Sequence, residues 1–329
     1  ADYNTISENT VMNSGGNGIA ISYSDGNTLS NNYVLNNSIA GIFLANSVNT
    51  EITGNVITGN QNGLLLTNSD SNIVSQNSVV NNLEDGILLI NTNGTAIDYN
   101  DVIGNLLNGI YLSISNNNSL FGNNLVDNQG NGIVVSYSDG NFIIGNIVIE
   151  NFFNGIILDN SDNNIVSGNI LMNNQEKGIL LSHSGNNTLS ENDVKSNSDG
   201  IGLTYSDNNT IYGNNVIGNT HEGIVVDNSV NSEITGNTIT GNRNGILLNF
   251  SPASVNFNRI FGNSFSGLYN QYSNYVDATN NWWGSNTPTI SSSKASDIFN
   301  LGGNIVYNPW LVLTVHSVYN SNGIYNITV

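Results

Sequence analysis

Cysteine is absent from this chain of 329 residues, and basic residues are scarce. Without cysteine there is no disulfide framework, and redox chemistry does not indicate a cellular compartment. Only 5 Lys and Arg residues stand against 24 Asp and Glu residues, which gives a net charge of −19. Such a surface excludes binding to nucleic acid and disfavours binding to anionic lipid head groups.

Long apolar runs are absent too. No stretch of about 18 apolar residues occurs, so the sequence predicts no transmembrane helix. Ala1 is not followed by a charged and then apolar signal segment, and we therefore expect a processed or trimmed N-terminus. Apolar residues make up 38% of the chain. They recur at fixed spacing, which is typical of a chain that buries a core.

A repeat of 22 or 23 residues accounts for nearly the whole sequence. It is clearest in residues 155–177, GIILDNSDNNIVSGNILMNNQEK, where three short alternating apolar runs are separated by turns rich in Asn and Gly. We count positions in each unit from its first glycine, which is position 0. These glycines are Gly18, Gly41, Gly63, Gly86, Gly109, Gly132, Gly155, Gly178, Gly200, Gly223, Gly245 and Gly267. A period in this range indicates a solenoid.

The spacing inside each unit decides which solenoid is expected. A leucine-rich repeat would need the L-x-x-L-x-L-x-x-N pattern. Here each unit holds three strand patterns, and no 3.6-residue apolar period occurs anywhere. The sequence therefore predicts an all-β fold, a right-handed three-sided parallel β-helix of about 12 coils stacked at about 4.8 Å.

Two columns of asparagine support this fold. Positions 14 and 19 are Asn in ten successive units, from Asn32 to Asn237 and from Asn37 to Asn242. Asn tolerates left-handed backbone, and its amide can both donate to and accept from the Asn of the next coil. We predict structural ladders at both positions, and a similar role for the Ser/Thr column at position 6.

Length varies almost only at one corner, between position 19 and the next glycine. A corner that accepts insertions faces solvent and is the better candidate for a binding surface. Loop drift is the simpler interpretation of the same variation. The candidate binding residues at this corner are Glu84, Asp85, Phe152, Phe153, Glu176, Lys177, His221 and Glu222.

The repeat weakens after Gly245. Trp282 and Trp283 enter there, and we interpret them first as a cap on the open end of the β-helix and second as a carbohydrate-stacking platform. The sequence predicts a β-helix over residues 1–288, then a C-terminal cap and the start of a following strand or domain over 289–329. Residues 311–315, LVLTV, have the pattern of a strand leading away.

The coil pattern resembles the NosD-like family and the carbohydrate-binding and sugar-hydrolase β-helix superfamily. Residues 278–288, ATNNWWGSNTP, followed by 308–315, NPWLVLTV, resemble the end of the β-helix in archaeal adhesin-like surface proteins of methanogens. The resemblance implies an exported, cell-surface protein, and it assigns no catalytic residues.

Catalytic and metal-binding chemistry finds few candidates. The best acidic group is Asp139 and Asp162, at position 7 of adjacent coils about 5 Å apart, with Asp159 nearby. Turn capping explains position 7 equally well. Asp139 and Asp162 would otherwise form a weak calcium site, and we expect no other cofactor.

The resemblance to NosD also raises copper, which prefers His, Met and Cys. His183, His221 and His316 are scattered in the sequence, and Met12 and Met172 lie far apart. We therefore expect no copper site. A column of tyrosines at position 5 would suit stacking on sugar rings, although ordinary turn packing explains it more simply. These tyrosines are Tyr23, Tyr137, Tyr205 and Tyr272.

Three functions remain open. The leading hypothesis is a non-enzymatic, extracellular rod or adhesin segment at the cell surface that binds glycans or another cell-surface component. The second is a carbohydrate-active enzyme, a lyase, hydrolase or epimerase, that uses Asp139, Asp159 and Asp162. The third is a filament or sheath subunit that associates end to end.

Overall fold

The computed structural model describes residues 1–313, 316–319 and 325–328, and in it the chain winds as a three-sided parallel β-helix. Each coil contributes one short strand to each of three sheets, and neighbouring coils pair in parallel. This confirms the predicted fold class and the number of about 12 coils. Among the described residues no helix is long and apolar enough to cross a membrane.

The strands fall into three sheets and one hairpin. Sheet A contains Thr5–Ser7, Thr28–Ser30, Glu51–Thr53, Ile73–Ser75, Ala96–Asp98, Ser119–Phe121, Phe142–Ile144, Ile165–Ser167, Thr188–Ser190, Thr210–Tyr212, Ser232–Thr235, Ala253–Asn256, Tyr275–Asp277 and Asn304–Val306. Sheet B contains Thr10–Met12, Tyr33–Leu35, Val56–Thr58, Ser78–Val80, Asp101–Ile103, Asn124–Val126, Ile147–Ile149, Ile170–Met172, Asp193–Lys195, Asn215–Ile217, Thr238–Thr240 and Arg259–Phe261. Sheet C contains Ile19–Ser22, Ala40–Ala45, Asn62–Thr67, Ile87–Ile90, Ile110–Ser113, Ile133–Ser136, Ile156–Asp159, Lys177–Ser182, Asp199–Thr204, Glu222–Asp227, Asn244–Asn249, Ser266–Asn270, Ser296–Asn300 and Ile290–Ser291. The antiparallel hairpin pairs His316–Tyr319 with Tyr325–Thr328.

The core is a set of apolar columns inside the coil. Ile156, Leu158, Val166 and Leu171 of one coil are all fully buried, and the same positions are buried in the coils above and below. Because the register pairs like positions, each interior side chain packs on its own equivalent one coil away. The alternating side chains of each strand point outward and form the surface of the rod.

The predicted asparagine ladders are present. Asn146 donates from its backbone N–H and from Nδ2 to Oδ1 of Asn169, at 2.9 and 3.0 Å. Its Nδ2 also donates to the carbonyl of Leu120, at 2.9 Å. At position 6 the N–H of Ser138 donates to Oγ of Ser161, at 3.0 Å. These contacts satisfy polar groups that the corners would otherwise bury without partners.

The expectation that the ladder asparagines have left-handed backbone is wrong. The left-handed residue is the one just before each of them. The residue before each of them bends the chain, as at Asn31 with φ 55° and Gln76 with φ 54°. Glycine often takes that place, as at Gly168 with φ 65°. The ladder residue itself keeps ordinary backbone, and its side chain points inward to meet the next coil.

The glycine at position 0 is required by space. A Cβ on Gly155 would lie 2.6 Å from the carbonyl oxygen of Gly178 and 2.8 Å from Cδ2 of Leu171. Its φ is not in the left-handed region. The glycine column therefore reflects the close approach of successive coils at this corner.

Parallel pairing continues past the predicted boundary at residue 288. Ser296–Asn300 extends sheet C and Asn304–Val306 extends sheet A. Leu311, Val312 and Leu313 are not in a strand, so that part of the predicted strand over 311–315 is wrong. Thr314 and Val315, which complete that prediction, lie outside the described residues.

Candidate functional site

The corner between sheets B and C carries most of the predicted binding residues, and its character changes along the rod. We call residues 38–39, 61, 83–84, 106–107, 129–130 and 152–153 the apolar half of this corner. We call Lys177, Asp199, Glu222 and Arg243 the charged half. Backbone hydrogen bonds order both halves, as from Phe153 N to the Gly130 carbonyl at 3.0 Å. The corner is therefore a continuation of the rod rather than a set of loose loops.

A further ladder runs along the position just before each glycine, and the sequence reasoning missed it. Oδ1 of Asp85 accepts from the N–H and Nδ2 of Asn108, both at 2.9 Å. The same link joins Asn108 to Asn131 and Asn131 to Asn154. The signal was available, because Asn or Asp fills this position in most units. The varying length of the corner hid the column.

Asp85 is buried in this ladder, so it is not the surface-binding residue that the sequence predicts. Burial raises the pKa of its carboxyl above the ordinary value, and the hydrogen bonds from Asn108 lower it in part. The neighbouring Glu84 accepts from Nε2 of Gln61 and Nδ2 of Asn62, each at 2.8 Å. Both acidic groups serve the corner itself.

The change Asp85→Asn should raise the free energy of unfolding at pH 7 by about 0.5–2 kcal/mol. The pKa of the Asp85 carboxyl is raised in the folded state. The carboxyl therefore stabilises the fold at pH values below its pKa in the unfolded chain, and this stabilisation is lost as pH rises through its pKa in the folded protein. Asn keeps the acceptor for Asn108 without the charge. Urea unfolding at several pH values measures this, with Glu84→Gln as control. A variant less stable than the parent at pH 7 would contradict the prediction.

The charged half is a network across four coils. Nζ of Lys177 bonds Oδ2 of Asp199, and Oδ1 of Asp199 accepts from the N–H of Glu222 at 3.2 Å. Oε1 of Glu222 accepts from Nδ2 of Asn244 at 2.9 Å and lies 3.8 Å from a guanidinium nitrogen of Arg243. Two of the five basic residues of the chain thus meet here. The sequence predicted Lys177 and Glu222, but it did not indicate that Asp199 and Arg243 join them.

One glycine on the outer face of sheet C shapes this site. Position 2 carries an apolar side chain in the flanking coils, Leu180 and Val225, whereas the coil between them has Gly202. A Cβ on Gly202 would lie 2.7 Å from Cδ of Lys177. The alkyl stem of Lys177 therefore fills the space that a side chain would take, and it lies flat across the sheet.

Aromatic rings line the opposite edge of the same face. His183 and Tyr205, at position 5 of adjacent coils, stack with ring centroids 5.3 Å apart and an interplanar angle of 13°. Further along, Phe250 and Tyr272 stack at 5.4 Å and 26°. The tyrosine column predicted from the sequence is thus joined by His183 and Phe250. We call these four residues the aromatic edge.

The face between the two edges is open and has both apolar and polar groups. Strand Asp199–Thr204 crosses it, which is about 20 Å at 3.3 Å per residue. Leu180, Val225 and Leu247 are half-buried on it. Oδ1 of Asp227 accepts from Nδ2 of Asn249, at 2.6 Å. Such a strip suits an extended ligand that has hydroxyl groups and apolar ring faces.

Glu176 and His221, also predicted as binding residues, lie at the corner beside the charged half. The N–H of Glu176 donates to the Phe153 carbonyl at 3.2 Å. Nδ1 of His221 is 3.1 Å from Oγ of Ser198. Both residues are exposed, and they extend the charged half toward the apolar half.

The acidic group predicted from the sequence forms part of a turn ladder. Oδ1 of Asp139 accepts from the N–H of Asp162 at 2.7 Å, and Oδ1 of Asp162 accepts from the N–H of Gly185 at 2.6 Å. Asp70 makes the same contact with Asn93, so nothing distinguishes these coils. Asp159 accepts from Tyr137 only through its backbone carbonyl. Turn capping accounts for position 7.

Metal-binding side chains are not brought together in the described part of the chain. No group of three or more His, Cys, Asp or Glu residues there could hold a metal ion. His183 and His221 lie at opposite edges of sheet C, and Met12 and Met172 belong to coils far apart in sheet B. Copper therefore has no ligand set among these residues. The side chain of His316 lies outside the described part.

The two tryptophans have different roles. Trp283 is 2% exposed and packs in the core, so the second interpretation, a carbohydrate-stacking platform, does not apply to it. It closes the end of the apolar column, as the cap interpretation expects. Trp282 is half-buried and points outward. With Arg259, Leu311, Val312 and Leu313 it lines a cleft of about 500 Å³.

Known proteins resemble this chain in sequence pattern and in fold. The family model described as "Periplasmic copper-binding protein (NosD)" matches residues 4–155 and 131–309. No curated protein matches the sequence.

Among solved structures, the A-module of mannuronan C-5 epimerase AlgE4 from Azotobacter vinelandii is 14% identical, with a TM-score of 0.66 over 95% of this chain and 90% of that one. The AlgE6 A-module from the same organism is 17% identical, with a TM-score of 0.64 over 76% and 80%. The tailspike receptor-binding domain of siphovirus 9NA is 9% identical, with a TM-score of 0.64 over 98% and 75%. These similarities establish the fold alone.

Proposed function

The chain belongs to the NosD family, and we propose that it is a non-enzymatic rod, exported from the cytoplasm, that binds glycans across the outer face of sheet C. The ligand lies between the charged half of the corner and the aromatic edge. One observation carries this proposal: Gly202 interrupts an otherwise apolar column, and Lys177 lies in its place. A single coil is thereby made different from its neighbours, as a binding site requires.

The chemistry of this face favours a neutral glycan. Lys177 and Arg243 are both paired with carboxylates, so they offer hydrogen bonds rather than free positive charge. The net charge of −19 repels a polyanionic chain. Tyr205 and Phe250 are exposed, and the stacked neighbour of each covers one face of its ring. The other face is the apolar surface on which the C–H face of a sugar ring packs.

The family and the fold relatives support export and a carbohydrate ligand. The family description names a periplasmic protein. Two relatives by fold are epimerases named for mannuronan, and another is a receptor-binding domain. The chain lacks a copper ligand set among its described residues, so the proposal does not include copper handling.

Replacing Tyr205 with alanine should weaken binding of a neutral oligosaccharide by about tenfold, because a central aromatic contact contributes more than 1 kcal/mol. A glycan array with the parent chain identifies the ligand, and calorimetry then measures the dissociation constant. Tyr137→Ala is the matched control, since Tyr137 has the same position in its coil, φ 49° against 50°, and 62% exposure against 57%.

Two outcomes would count against the proposal. If Tyr205→Ala and Tyr137→Ala weakened oligosaccharide binding equally, the glycan would not bind at the proposed site. Release of new reducing ends or of unsaturated products, abolished by Asp162→Ala, would favour the alternative of a carbohydrate-active enzyme that uses Asp139, Asp159 and Asp162.

A further inference from the structure

The apolar half of the corner exposes an unusual number of large side chains. Six of them are between 43% and 57% exposed, and they lie on four of six successive coils: Ile39, Leu83, Leu106, Leu107, Phe152 and Phe153. The other two coils carry Gln61 and Gln129 followed by Gly130. Phe152 and Phe153 contact each other edge to face, with centroids 5.2 Å apart. Single exposed apolar residues are ordinary, whereas a group of large ones along one corner indicates an interaction surface.

Two half-buried apolar columns flank this row. Position 17 of sheet B contributes Leu35, Val80, Ile103, Val126 and Ile149. Position 2 of sheet C contributes Phe43, Leu65, Leu88, Tyr111 and Ile157. The row and the position 2 column lie side by side, whereas the exposed column at position 18, which includes Asp127 and Glu150, separates them from the position 17 column. We call the row and both flanking columns the apolar ridge.

The area of the ridge is that of a protein interface. Six half-exposed side chains at roughly 200 Å² each leave about 600 Å² accessible, and the flanking columns add to this. The largest apolar patch of an ordinary monomer is about 300–600 Å², and one side of a stable interface is about 800 Å². The six side chains alone reach the upper end of the range for an ordinary monomer, and with the flanking columns the ridge approaches the area of one side of a stable dimer.

The polar groups of the ridge argue against a sugar ligand. Both carboxylate oxygens of Glu84 are occupied by Gln61 and Asn62. Asp85 is buried in the ladder with Asn108. A glycan would lose hydrogen bonds to water here and find few in return. A protein surface of the same apolar character loses nothing by covering it.

We infer that the ridge binds a second copy of this chain, in a side-by-side pair of rods. A chain with a net charge of −19 repels its own copies over most of its surface. Within the ridge Glu84 is hydrogen-bonded and Asp85 is buried. Asp127 and Glu150, on its sheet B side, are its exposed charges, so two copies repel each other there mainly through these two carboxylates. A second copy also carries the same coil spacing of about 4.8 Å, so its ridge matches in register. Closed two-fold symmetry then joins the same surface of both copies.

Sedimentation velocity of the full chain tests this pairing. We expect a monomer–dimer equilibrium that shifts toward the dimer at higher salt, because salt screens the repulsion of the acidic surfaces. Phe153→Glu should weaken the dimer at least tenfold. Phe142→Glu is the matched control on sheet A, since both phenylalanines are 43% exposed, and it should change the constant less than twofold. Thermal unfolding of each variant checks that the fold is kept.

The absence of native cysteine allows a second measurement. In an antiparallel pair, Leu106→Cys lies near the two-fold axis and should crosslink to itself through a short bis-maleimide. Tyr272→Cys, at a different corner, should not. A parent chain that stays monomeric at about 100 μM would overturn the inference. Equal crosslinking of both variants would overturn it as well. If the parent is monomeric and floats with neutral phosphatidylcholine vesicles, the ridge is a lipid contact instead.

Discussion

Replacing Asn214 with leucine should lower the free energy of unfolding by about 3–5 kcal/mol, the upper range for a single substitution. Asn214 is fully buried, and Nδ2 donates to the carbonyls of Leu189 and Tyr212 and to Oδ1 of Asn237, at 2.9–3.1 Å. Leucine keeps the branching of the side chain, but it can neither donate nor accept a hydrogen bond.

The loss is large because the substitution leaves partners on two other coils without hydrogen bonds. Oδ1 of Asn214 accepts from both the N–H and Nδ2 of Asn192, at 2.9 Å. A buried polar group left unsatisfied costs about 1–3 kcal/mol, and several are created at once. The defect lies within a ladder that runs unbroken through the corner, so no water can replace the lost contacts without opening the coil.

The neighbouring residue supplies the control. Asn215 is the next residue, lies on the outer face of sheet B and is exposed. Asn215→Leu should change stability by no more than about 0.5 kcal/mol. Urea unfolding followed by circular dichroism measures both variants. Equal effects, or a loss below about 1 kcal/mol for Asn214→Leu, would mean that the ladder is not what holds the corner.

Replacing Trp283 with alanine should destabilise the C-terminal end of the rod by about 3–5 kcal/mol, the usual cost of removing a buried tryptophan. The ring lies in the interior column next to Ile260. It also packs against Gly267, where an added Cβ would lie 3.2 Å from Cε3 of the ring. Its removal opens the apolar column to water at the last coils.

The effect should be local, because each coil contacts only its neighbours. Hydrogen exchange should show lost protection at Ile260 and Leu268 and unchanged protection at Leu112. Trp282→Ala is the control, since Trp282 is half-buried and lines the cleft with Arg259. It should cost about 1 kcal/mol. Uniform loss of protection along the rod would contradict the local model.

The sequence was sufficient for the fold because its chemistry repeats with the geometry. The positions of Val166 and Leu171 are apolar in ten successive units, and only coils of nearly constant length bring such residues into columns. Asn169 could be assigned to a ladder for the same reason. In the last coil the pattern was present but hidden: Asn281 and Trp283 follow Gly267 at positions 14 and 16, where earlier coils have Asn and an apolar residue.

The candidate site was less accessible to sequence reasoning. Lys177 and Glu222 were found because the corner varies in length, but their partner Asp199 lies a whole coil from each. The meaning of Gly202 depends on the side chain that covers it. Periodicity shows which residues share a column. A binding site is formed instead by residues that depart from the repeat, such as Gly202, and by side-chain contacts between coils. Those contacts depend on side-chain conformation.

The backbone hydrogen bonds between coils all point along the rod, and this determines how the molecule bears mechanical load. Each coil is held to the next by its three strands and its ladders, and every such contact spans about one unit of sequence. Bending or squeezing the rod loads many of these contacts together, so the shaft is stiff. A force that pulls on one end of the chain acts only on the terminal coil. That coil therefore unfolds before the force acts on the next one. Each released unit of 22 or 23 residues lengthens the tether by about 75 Å of extended chain. The same rod is thus stiff against bending and extensible when it is pulled from one end.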